Sequence, residues 1–477
     1  MKKILLLIVF NFVLISFLRS QCTERPRLLV LTDIGGDPDD IQSLRRLLLY
    51  SNEFKMEGFI ATATWGPVGK RTPGVYHTNE NLIFDAISDY GEIRNNLLLH
   101  SAKYPTADTL NAIVFHGQPN RGVKNLTPGK STPGSQHIIR AVDESNHILN
   151  IVIWGGAHDL AQALLDVKLT RSETETSEFI SKIRVYAIGD QDKKYAPEGT
   201  GEWIIANFPG IFYIQEEDVA RGMFQNDTPI AEGKFLPLVK EGVEQDSEDW
   251  VRETISGWGK LMEAYPDNVN QNPKSPRNTK GVKEGDTPSW FYFLPNGLSN
   301  PEHPEWGCWG GRFKNVNKRL FTDAMDDHWT GQTDGLICQK WTVARWREAY
   351  QNDFAARARW CVLPYKQANH NPVLVVENDS TAKILSLHAY PGQKISISAT
   401  NSYDPDRNKM QYNWWIYNEV TSSSALLLNS NKKKVQVEIP KEAPSGEIHI
   451  VLEAKDNGKP VLRSYRRVIV KVLQTGN

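Results

Sequence analysis

The strongest constraint on the fold is a regular alternation of short apolar runs and helical patterns between residues 27 and 215. Apolar runs bounded by turn residues indicate strands, and the spacing of Ile41, Leu44 and Leu47 is typical of one helical face. Strands that alternate with helices form βαβ units and a buried parallel sheet. The predicted strands are residues 28–32, 58–62, 97–100, 149–154, 184–188 and 211–214. We therefore predict an α/β domain with an open, mostly parallel sheet.

The pattern changes after residue 371, where apolar and polar residues begin to alternate. The clearest alternating runs are residues 394–398, 435–439 and 468–472. Runs of period two at this spacing are typical of the strands of a β-sandwich. We predict an α/β domain over residues 21–371 and an immunoglobulin-like, all-β sandwich over residues 372–477.

Residues 1–20 have the features of an export signal, because a pair of lysines precedes an apolar run over residues 4–18. Asn11 interrupts this run, which is shorter than the roughly 20 residues that span a bilayer. We expect a mature chain without a transmembrane segment, located in the periplasm or secreted. Lipid anchoring through Cys22 is the alternative.

Composition disfavours two classes of function. The 55 Lys and Arg residues and 56 Asp and Glu residues give a formal charge of −1, which offers no electrostatic attraction to nucleic acid. Cys308, Cys338 and Cys361 lack the spacing of a zinc site. In an oxidising compartment we expect one disulfide among these three, with the pairing left open.

The most informative segment holds four carboxylates, those of Asp33, Asp37, Asp39 and Asp40, directly after the first predicted strand. In an open α/β sheet this is the edge where ligands bind. Like charges at this density cost stability unless a cation or hydrogen-bond donors compensate them. Oxygen ligands without nearby His or Cys favour calcium or magnesium. Helix capping is the structural alternative, but one cap explains one aspartate and not four.

The segment from Thr32 to Gly35, with Asp39 and Asp40, resembles the Asp-x-Asp-Pro-Gly-x-Asp-Asp motif by which nucleoside hydrolases bind calcium. Leu31 stands at the first Asp of that motif, and two extra residues separate its glycine from the Asp pair. The variant Gly-Gly-Asp-Pro-Asp-Asp is similar to a bacterial nucleoside-hydrolase-like branch associated by name with cellulose binding. The resemblance implies a nucleoside-hydrolase-type sheet and a bound Ca²⁺ ion.

Two further segments resemble the same family. In one, Trp154 stands where the family has a Thr whose backbone carbonyl binds calcium, and His158 and Asp159 replace a Thr-Asn pair. In the other, Asp286 matches an Asp that binds calcium, while Gly285 replaces the His associated with a purine leaving group. That replacement argues against an ordinary nucleosidase. His158 and Asp159 either contact substrate or cap a helix. Asp286 either binds metal or caps a helix, and both roles can hold at once.

Four other residues complete the predicted substrate site. Glu202 and Asn207 lie in a segment that resembles the family's ribose-binding residues. Asn79 contacts sugar or lies on a solvated face, and Trp290 stacks on sugar or belongs to the core. For protonation of a leaving group, the candidates are Asp159, Glu202 and His158.

These observations predict an exported, calcium-dependent hydrolase of glycosidic bonds that acts on a saccharide or other glycoside. The resemblance makes Asp33 both a metal ligand and the base that takes a proton from the attacking water, a role that suits a carboxylate beside a metal. A true nucleoside N-ribohydrolase and a noncatalytic carbohydrate-binding protein are the alternatives. The sequence leaves the sugar, the linkage and the oligomeric state open, a homo-oligomer included.

Overall fold

The computed structural model describes the chain from residue 25 to residue 474 with gaps. The described residues are 25–36, 39–65, 76–193, 198–217, 223, 229–230, 234–235, 243–266, 281–327, 333 and 335–474. The predicted export signal, Cys22 and Asp37 lie outside them. Within the described residues, no helix is both long enough and apolar enough to cross a membrane.

The first part of the chain is built on an eight-stranded sheet with the order β11-β12-β8-β7-β6-β1-β2-β5. Its strands are parallel, except that β11 runs antiparallel to β12. The strands of this part of the chain, including two short hairpins, are β1 (Arg27–Thr32), β2 (Lys55–Ala61), β3 (Thr64–Trp65), β4 (Tyr76–His77), β5 (Val114–His116), β6 (Leu149–Ile153), β7 (Ile183–Ile188), β8 (Phe212–Glu216), β9 (Pro229–Ile230), β10 (Lys234–Phe235), β11 (Phe313–Asn317) and β12 (Leu320–Asp323).

Helices cover both faces of this sheet, which is why the central strand β1 is apolar from Leu28 to Leu31. Leu28 and Val30 point into one hydrophobic core, and Leu29 and Leu31 point into the other. The α-helices are α1 (Asp39–Leu49), α2 (Glu80–His100), α3 (Ala107–Asn111), α4 (Pro133–Asp143), α5 (His158–Thr170), α6 (Glu173–Ser181), α7 (Thr200–Asn207), α8 (Glu248–Trp250), α9 (Lys260–Glu263), α10 (Thr287–Phe291), α11 (Gly335–Ala344) and α12 (Arg347–Trp360). The predicted α/β class with an open, mostly parallel sheet is confirmed.

The C-terminal part of the chain is all β, as predicted. A four-stranded sheet with the order β13-β19-β18-β15 faces a three-stranded sheet with the order β14-β17-β16. The strands are β13 (Leu385–Ala389), β14 (Lys394–Ser398), β15 (Gln411–Ile416), β16 (Leu426–Leu428), β17 (Lys434–Glu438), β18 (Gly446–Lys455) and β19 (Arg463–Val472). A separate hydrophobic core, which includes Trp414, lies between the two sheets. The domain boundary between residues 371 and 372 stays a prediction.

One predicted strand is wrong. Residues 97–100 form the last turn of α2, and only Leu97 of that run is buried, whereas Leu99 is 53% exposed. A four-residue apolar run does not distinguish a strand from a helix end, and here it continues the helical spacing of Tyr90 and Ile93. The strand that occupies this place in the sheet is β5, whose three residues are too short to give a periodic signal.

The cysteine prediction also needs correction. Cys308, Cys338 and Cys361 are all buried free thiols, so the expected disulfide is absent among these three residues. Burial raises the pKa of Cys308 to about 12. The thiols therefore act as small apolar groups of the core.

The sandwich packs directly on the α/β part through Trp415, Tyr417 and Tyr465, which join its hydrophobic core. The ring centroids of Trp415 and Trp346 are 6.0 Å apart. At the centre of this junction, the buried Asp326 accepts hydrogen bonds from Arg312 Nε (2.5 Å), Arg345 Nη1 (2.6 Å) and the hydroxyl of Tyr417 (2.6 Å). One carboxylate thus links both parts of the molecule.

We predict that Asp326→Asn destabilises the protein by about 1.5–3 kcal/mol, because it removes the buried carboxylate that neutralises two half-buried guanidinium groups, of which Arg345 keeps a second partner in Glu419. Tyr417→Phe is the matched control, since it removes one hydrogen bond to the same carboxylate and costs about 1 kcal/mol. Urea denaturation followed by tryptophan fluorescence measures both. An equal loss in the two variants would contradict the role of the carboxylate charge.

Candidate carboxylate site

The candidate site lies at the carboxyl ends of β1 and β6, where the strand order reverses. The sheet adds β2 and β5 on one side of β1, and β6, β7 and β8 on the other. Ligands of open α/β sheets bind in the crevice at such a switch point. Asp33 follows β1 and Trp154 follows β6. The two segments lie close together: a Cβ atom built on Gly155, the residue after Trp154, would lie 2.7 Å from the Asp33 carboxylate.

Three carboxylates form a compact group in this crevice. Asp39 and Asp40 are the first residues of α1, Asp286 precedes α10, and one oxygen from each lies within 4.8 Å of the others. The Asp286 side chain makes no capping hydrogen bond, and its Oδ2 atom is buried without a hydrogen-bond partner. Burial, together with the charges of Asp40, Asp39 and Asp33, raises the pKa of Asp286. An all-oxygen group with an unsatisfied buried oxygen fits a hard divalent cation.

Helix α1 brings the distant Asp286 to this group through two buried side chains. Gln42 donates to the carbonyl of Gly281 (2.9 Å) and accepts from the backbone N–H of Lys283 (2.7 Å). Arg46 forms a fully buried ion pair with Glu284 at 2.9 Å. The segment that precedes Asp286 is therefore fixed to the helix that begins with Asp39 and Asp40.

The turn after β1 is held by short-range contacts. Thr32 Oγ1 donates to Asp40 Oδ1 and accepts from the backbone N–H of Ile34. Gly35 has a φ of +91°, and a Cβ atom there would lie 2.3 Å from the side-chain nitrogen of Asn79. Asn79 Nδ2 donates to the Ile34 carbonyl at 3.2 Å. The structure thus places Asn79 against the aspartate turn, where it supports the backbone.

Asp33 forms an ion pair with Arg121, a residue that the sequence reading missed. Arg121 Nη2 lies 2.5 Å from Asp33 Oδ2, and the two side chains are 1% and 8% exposed. Arg121 follows β5, in a loop that matches no motif, so only the three-dimensional structure reveals it. The Gln191 side chain, from the loop after β7, donates to the Trp154 carbonyl. The Trp154 indole donates to Ser289 Oγ (2.9 Å), which ties β6 to α10.

A second missed carboxylate, Asp192, lies under the same edge of the sheet. It is fully buried and accepts a hydrogen bond from Thr200 Oγ1, while its Oδ1 atom has no hydrogen-bond partner. Burial raises the pKa of Asp192 to about 6. A Cβ atom on Gly156 would lie 2.4 Å from Asp192 Oδ1, which explains the glycine at that position. No motif marks Asp192 in the sequence.

His158 and Asp159 begin α5 and are buried. Asp159 accepts from Thr132 Oγ1 (2.5 Å) and from the backbone N–H of Gln118 (3.1 Å), so it fastens the loop after β5. Burial raises the pKa of Asp159 to about 6 and lowers the pKa of His158 to about 4. Both residues lie inside the protein, and Asp159 holds the loop after β5 in place.

The two remaining candidates from the sequence, Glu202 and Asn207, lie on α7. Glu202 is exposed and forms an ion pair with Lys193, although its backbone N–H donates to Asp190 (2.8 Å). Asn207 ends α7 and donates to the Trp203 carbonyl (3.0 Å). Since α7 begins near this edge of the sheet and Asn207 is its last residue, Asn207 lies about 10 Å along the helix from its start.

Trp290 belongs to the hydrophobic core. Its side chain has no exposed surface, and its ring centroid is 5.0 Å from that of Tyr50 and 6.2 Å from that of Phe54. It therefore presents no face on which a sugar could stack, which corrects the expectation that it contacts substrate.

The fold and the carboxylate group define a nucleoside-hydrolase-like protein. Residues 27–313 match the family model described as "Cellulose-binding Sde182, nucleoside hydrolase-like domain", and residues 394–472 match "Cellulose-binding protein Sde0182, C-terminal domain". The chain belongs to this Sde182 nucleoside hydrolase-like family.

One solved structure agrees with this assignment. A nucleoside hydrolase-related hypothetical protein from Saccharophagus degradans, associated with carbohydrate metabolism, matches with a TM-score of 0.75 and 31% identity, covering 94% of this chain and 100% of that one. An inosine-uridine preferring nucleoside hydrolase from Bacillus anthracis matches with a TM-score of 0.28 and 14% identity, covering 48% of this chain and 71% of that one. No curated protein sequence gives a significant match.

We predict that His158 contributes to acid destabilisation. Its pKa is about 4 in the folded protein, below the ordinary value of 6.5, so the unfolded chain binds the proton more tightly. Stability is therefore lost as the pH falls from about 6.5 to about 4, by at most ~1.4 kcal/mol per pH unit.

His158→Gln removes this titration and flattens the plot of unfolding free energy against pH over that interval. His388→Gln changes an exposed histidine of the sandwich and serves as the control. An unchanged slope in His158→Gln would show that the buried histidine does not titrate on unfolding.

Proposed function

We propose that the chain is an exported, calcium-dependent hydrolase that cleaves a glycosidic bond in a saccharide by attack of water at the anomeric carbon. The observation that carries this proposal is the group formed by Asp39, Asp40 and Asp286, with its unsatisfied oxygen, near the charge of Asp33. The relatives suggest the substrate class, because the family models are described as cellulose-binding and the Saccharophagus degradans protein as associated with carbohydrate metabolism.

The proposed calcium ligands are Asp39, Asp40, Asp286 and the Trp154 carbonyl. Asp33 lies at the same edge of the sheet. Asp37 stays a predicted ligand outside the described residues. Carboxylate and carbonyl oxygens are the donors that calcium prefers. When bound, such an ion orients the sugar and makes a water molecule easier to deprotonate.

Asp33 is the proposed base. It takes a proton from the attacking water while the water oxygen bonds to the anomeric carbon and the glycosidic bond breaks, with its electron pair leaving on the aglycone oxygen. Its Oδ2 atom is held by Arg121, so the carboxylate has a fixed orientation. The negative charge of the group also favours the positive charge that develops on the sugar ring.

None of the three residues suggested by the sequence suits protonation of the leaving group. The carboxylate oxygens of Asp159 already accept hydrogen bonds from Thr132 Oγ1 and from the backbone N–H of Gln118. His158 has a pKa of about 4 and carries no proton to donate from an imidazolium near pH 7. Glu202 is exposed and paired with Lys193. The proposal therefore assigns the leaving-group proton to none of them, and the leaving oxygen takes its proton from solvent water.

A noncatalytic carbohydrate-binding protein is the second candidate. Two observations favour it: the family is described as cellulose-binding, and Asp33, the proposed base, forms a buried ion pair with the guanidinium of Arg121. Turnover of a saccharide distinguishes the two candidates, and turnover of a nucleoside would instead identify an N-ribohydrolase.

The proposal includes export to the periplasm or beyond, with residues 1–20 as the signal peptide and Cys22 as the alternative lipid anchor. It also divides the mature chain into a nucleoside-hydrolase-like domain over residues 21–371 and a sandwich domain over residues 372–477. The separate hydrophobic core between the two sheets of the sandwich supports this division.

We predict that the purified protein binds one calcium ion per chain and that Asp286→Asn weakens binding by at least ~10-fold, since even the loss of a partner outside the ligand shell costs this much. Isothermal titration of chelator-treated protein measures the affinity. Asp143→Asn, an exposed aspartate paired with Arg171, is the control and retains wild-type affinity. Equal affinity in the two variants would remove Asp286 from the ligand set.

We predict that Asp33→Asn lowers hydrolysis on the order of 10²- to 10⁴-fold, because the variant keeps the size of the side chain and loses its basic oxygen. Purified protein is first tested on cello-oligosaccharides, aryl glycosides and nucleosides to find a substrate. Calcium content is measured beside the rate, so that lost metal is not mistaken for lost chemistry.

Full activity in an Asp33→Asn protein that retains calcium would show that Asp33 is not the base. Saccharide binding by the wild-type protein without turnover on any substrate would favour the carbohydrate-binding candidate.

A further inference from the structure

Arg121 and Asp33 form a buried pair inside the proposed site, and this pair separates Asp33 from the other carboxylates. Among the described residues, the group whose oxygens lie within 4.8 Å of one another consists of Asp39, Asp40 and Asp286. Asp33 is not a member of that group. Instead, its Oδ2 atom lies 2.5 Å from Arg121 Nη2, so the two groups share a direct, charge-assisted hydrogen bond.

The surroundings of Arg121 show that the pair is built into the fold. Arg121 comes from the loop after β5, and its Nη1 atom reaches the Gln191 carbonyl in the loop after β7 (3.5 Å). Its charge also acts on the buried Asp192. The side chain is 1% exposed, so it has no route to solvent without movement of these loops. Arg121 therefore connects the ends of β1, β5 and β7.

A guanidinium and a divalent cation that share one carboxylate repel each other, and each weakens the hold of the other. Asp39, Asp40 and Asp286 already supply three negative charges on the side of α1 and α10. The electrostatic free energy is lower when these three carboxylates bind the cation and Asp33 stays paired with Arg121.

We infer, on the basis of the proposed function, that Arg121 is a positioning residue that prevents Asp33 from coordinating the cation. Asp33 then acts on the attacking water without being a metal ligand, and the cation is bound by Asp39, Asp40 and Asp286. This assignment separates two roles that the sequence reading gave to one carboxylate.

Calcium affinity tests the inference without relying on activity. The key variant is the double substitution Asp33→Asn with Arg121→Met, which has the same net charge as the wild-type protein. If Asp33 is not a ligand, the double variant binds calcium within about threefold of wild type, the scatter expected for sites that do not interact. Asp286→Asn, which removes a ligand, loses at least ~10-fold in the same titration.

The single variants give an independent check. Arg121→Met tightens calcium binding on the order of tenfold, because a like charge near the cation is removed and Asp33 becomes available to it. Arg121→Lys keeps the charge and retains wild-type affinity. Asp33→Asn alone weakens binding less than Asp286→Asn does.

The control is the double substitution Arg27→Met with Glu57→Gln. It removes a similar buried ion pair, 2.6 Å long, at the opposite end of β1, and leaves calcium affinity unchanged. Circular dichroism melting verifies folding, and if Arg121→Met does not fold, Asp33→Asn and the charge-matched double variant still decide the question.

A loss in the charge-matched double variant as large as that of Asp286→Asn would overturn the inference and leave the calcium-dependent hydrolase standing. Failure of the wild-type protein to bind calcium would overturn the proposed function itself.

Discussion

The buried ion pair between Arg46 and Glu284 is the interaction on which the site depends. Both side chains are fully buried, so each charge is stable only in the presence of the other. Arg46 belongs to the helix that begins with Asp39 and Asp40, and Glu284 lies two residues before Asp286. The pair thereby fixes three carboxylates at a separation that their mutual repulsion opposes. A cation at this point would relieve a repulsion that the fold itself has imposed.

The charges of the site are compensated in two different ways. Asp33 has a guanidinium from the protein itself, whereas Asp286 has a buried oxygen without a hydrogen-bond partner and a pKa raised by burial and by its acidic neighbours. An unsatisfied buried acceptor normally has a functional explanation or a bound partner. Whether a carboxylate already has a positively charged partner in the protein, more than the number of aspartates, distinguishes one suited to bind a metal from one suited to act on water. Both kinds lie at the switch point of the sheet, where the fold brings loops from β1, β5, β6 and β7 together.

Much of the sheet could be predicted because its strands are buried on both faces and read as apolar runs, as Leu28 to Leu31 do. The aspartate turn was visible because its residues are adjacent in sequence. Arg121 and Asp192 were not, since each reaches the site from a loop that matches no motif. Trp290 shows the opposite failure, because an aromatic residue among turn residues predicts a sugar-binding loop, while packing against Tyr50 places it in the core. Local patterns thus identify elements, and long-range contacts decide which side chains meet.

The junction of the two parts of the molecule bears on how such chains evolve. A module joined by a flexible linker can be gained or lost by recombination without harm to its neighbour. Here Trp415, Tyr417 and Tyr465 of the sandwich complete the hydrophobic core of the α/β part. Loss of the sandwich would expose that core to water. The two parts therefore depend on each other for a closed core, and the match to the Saccharophagus degradans relative, which covers 94% of this chain and 100% of that one, spans both parts.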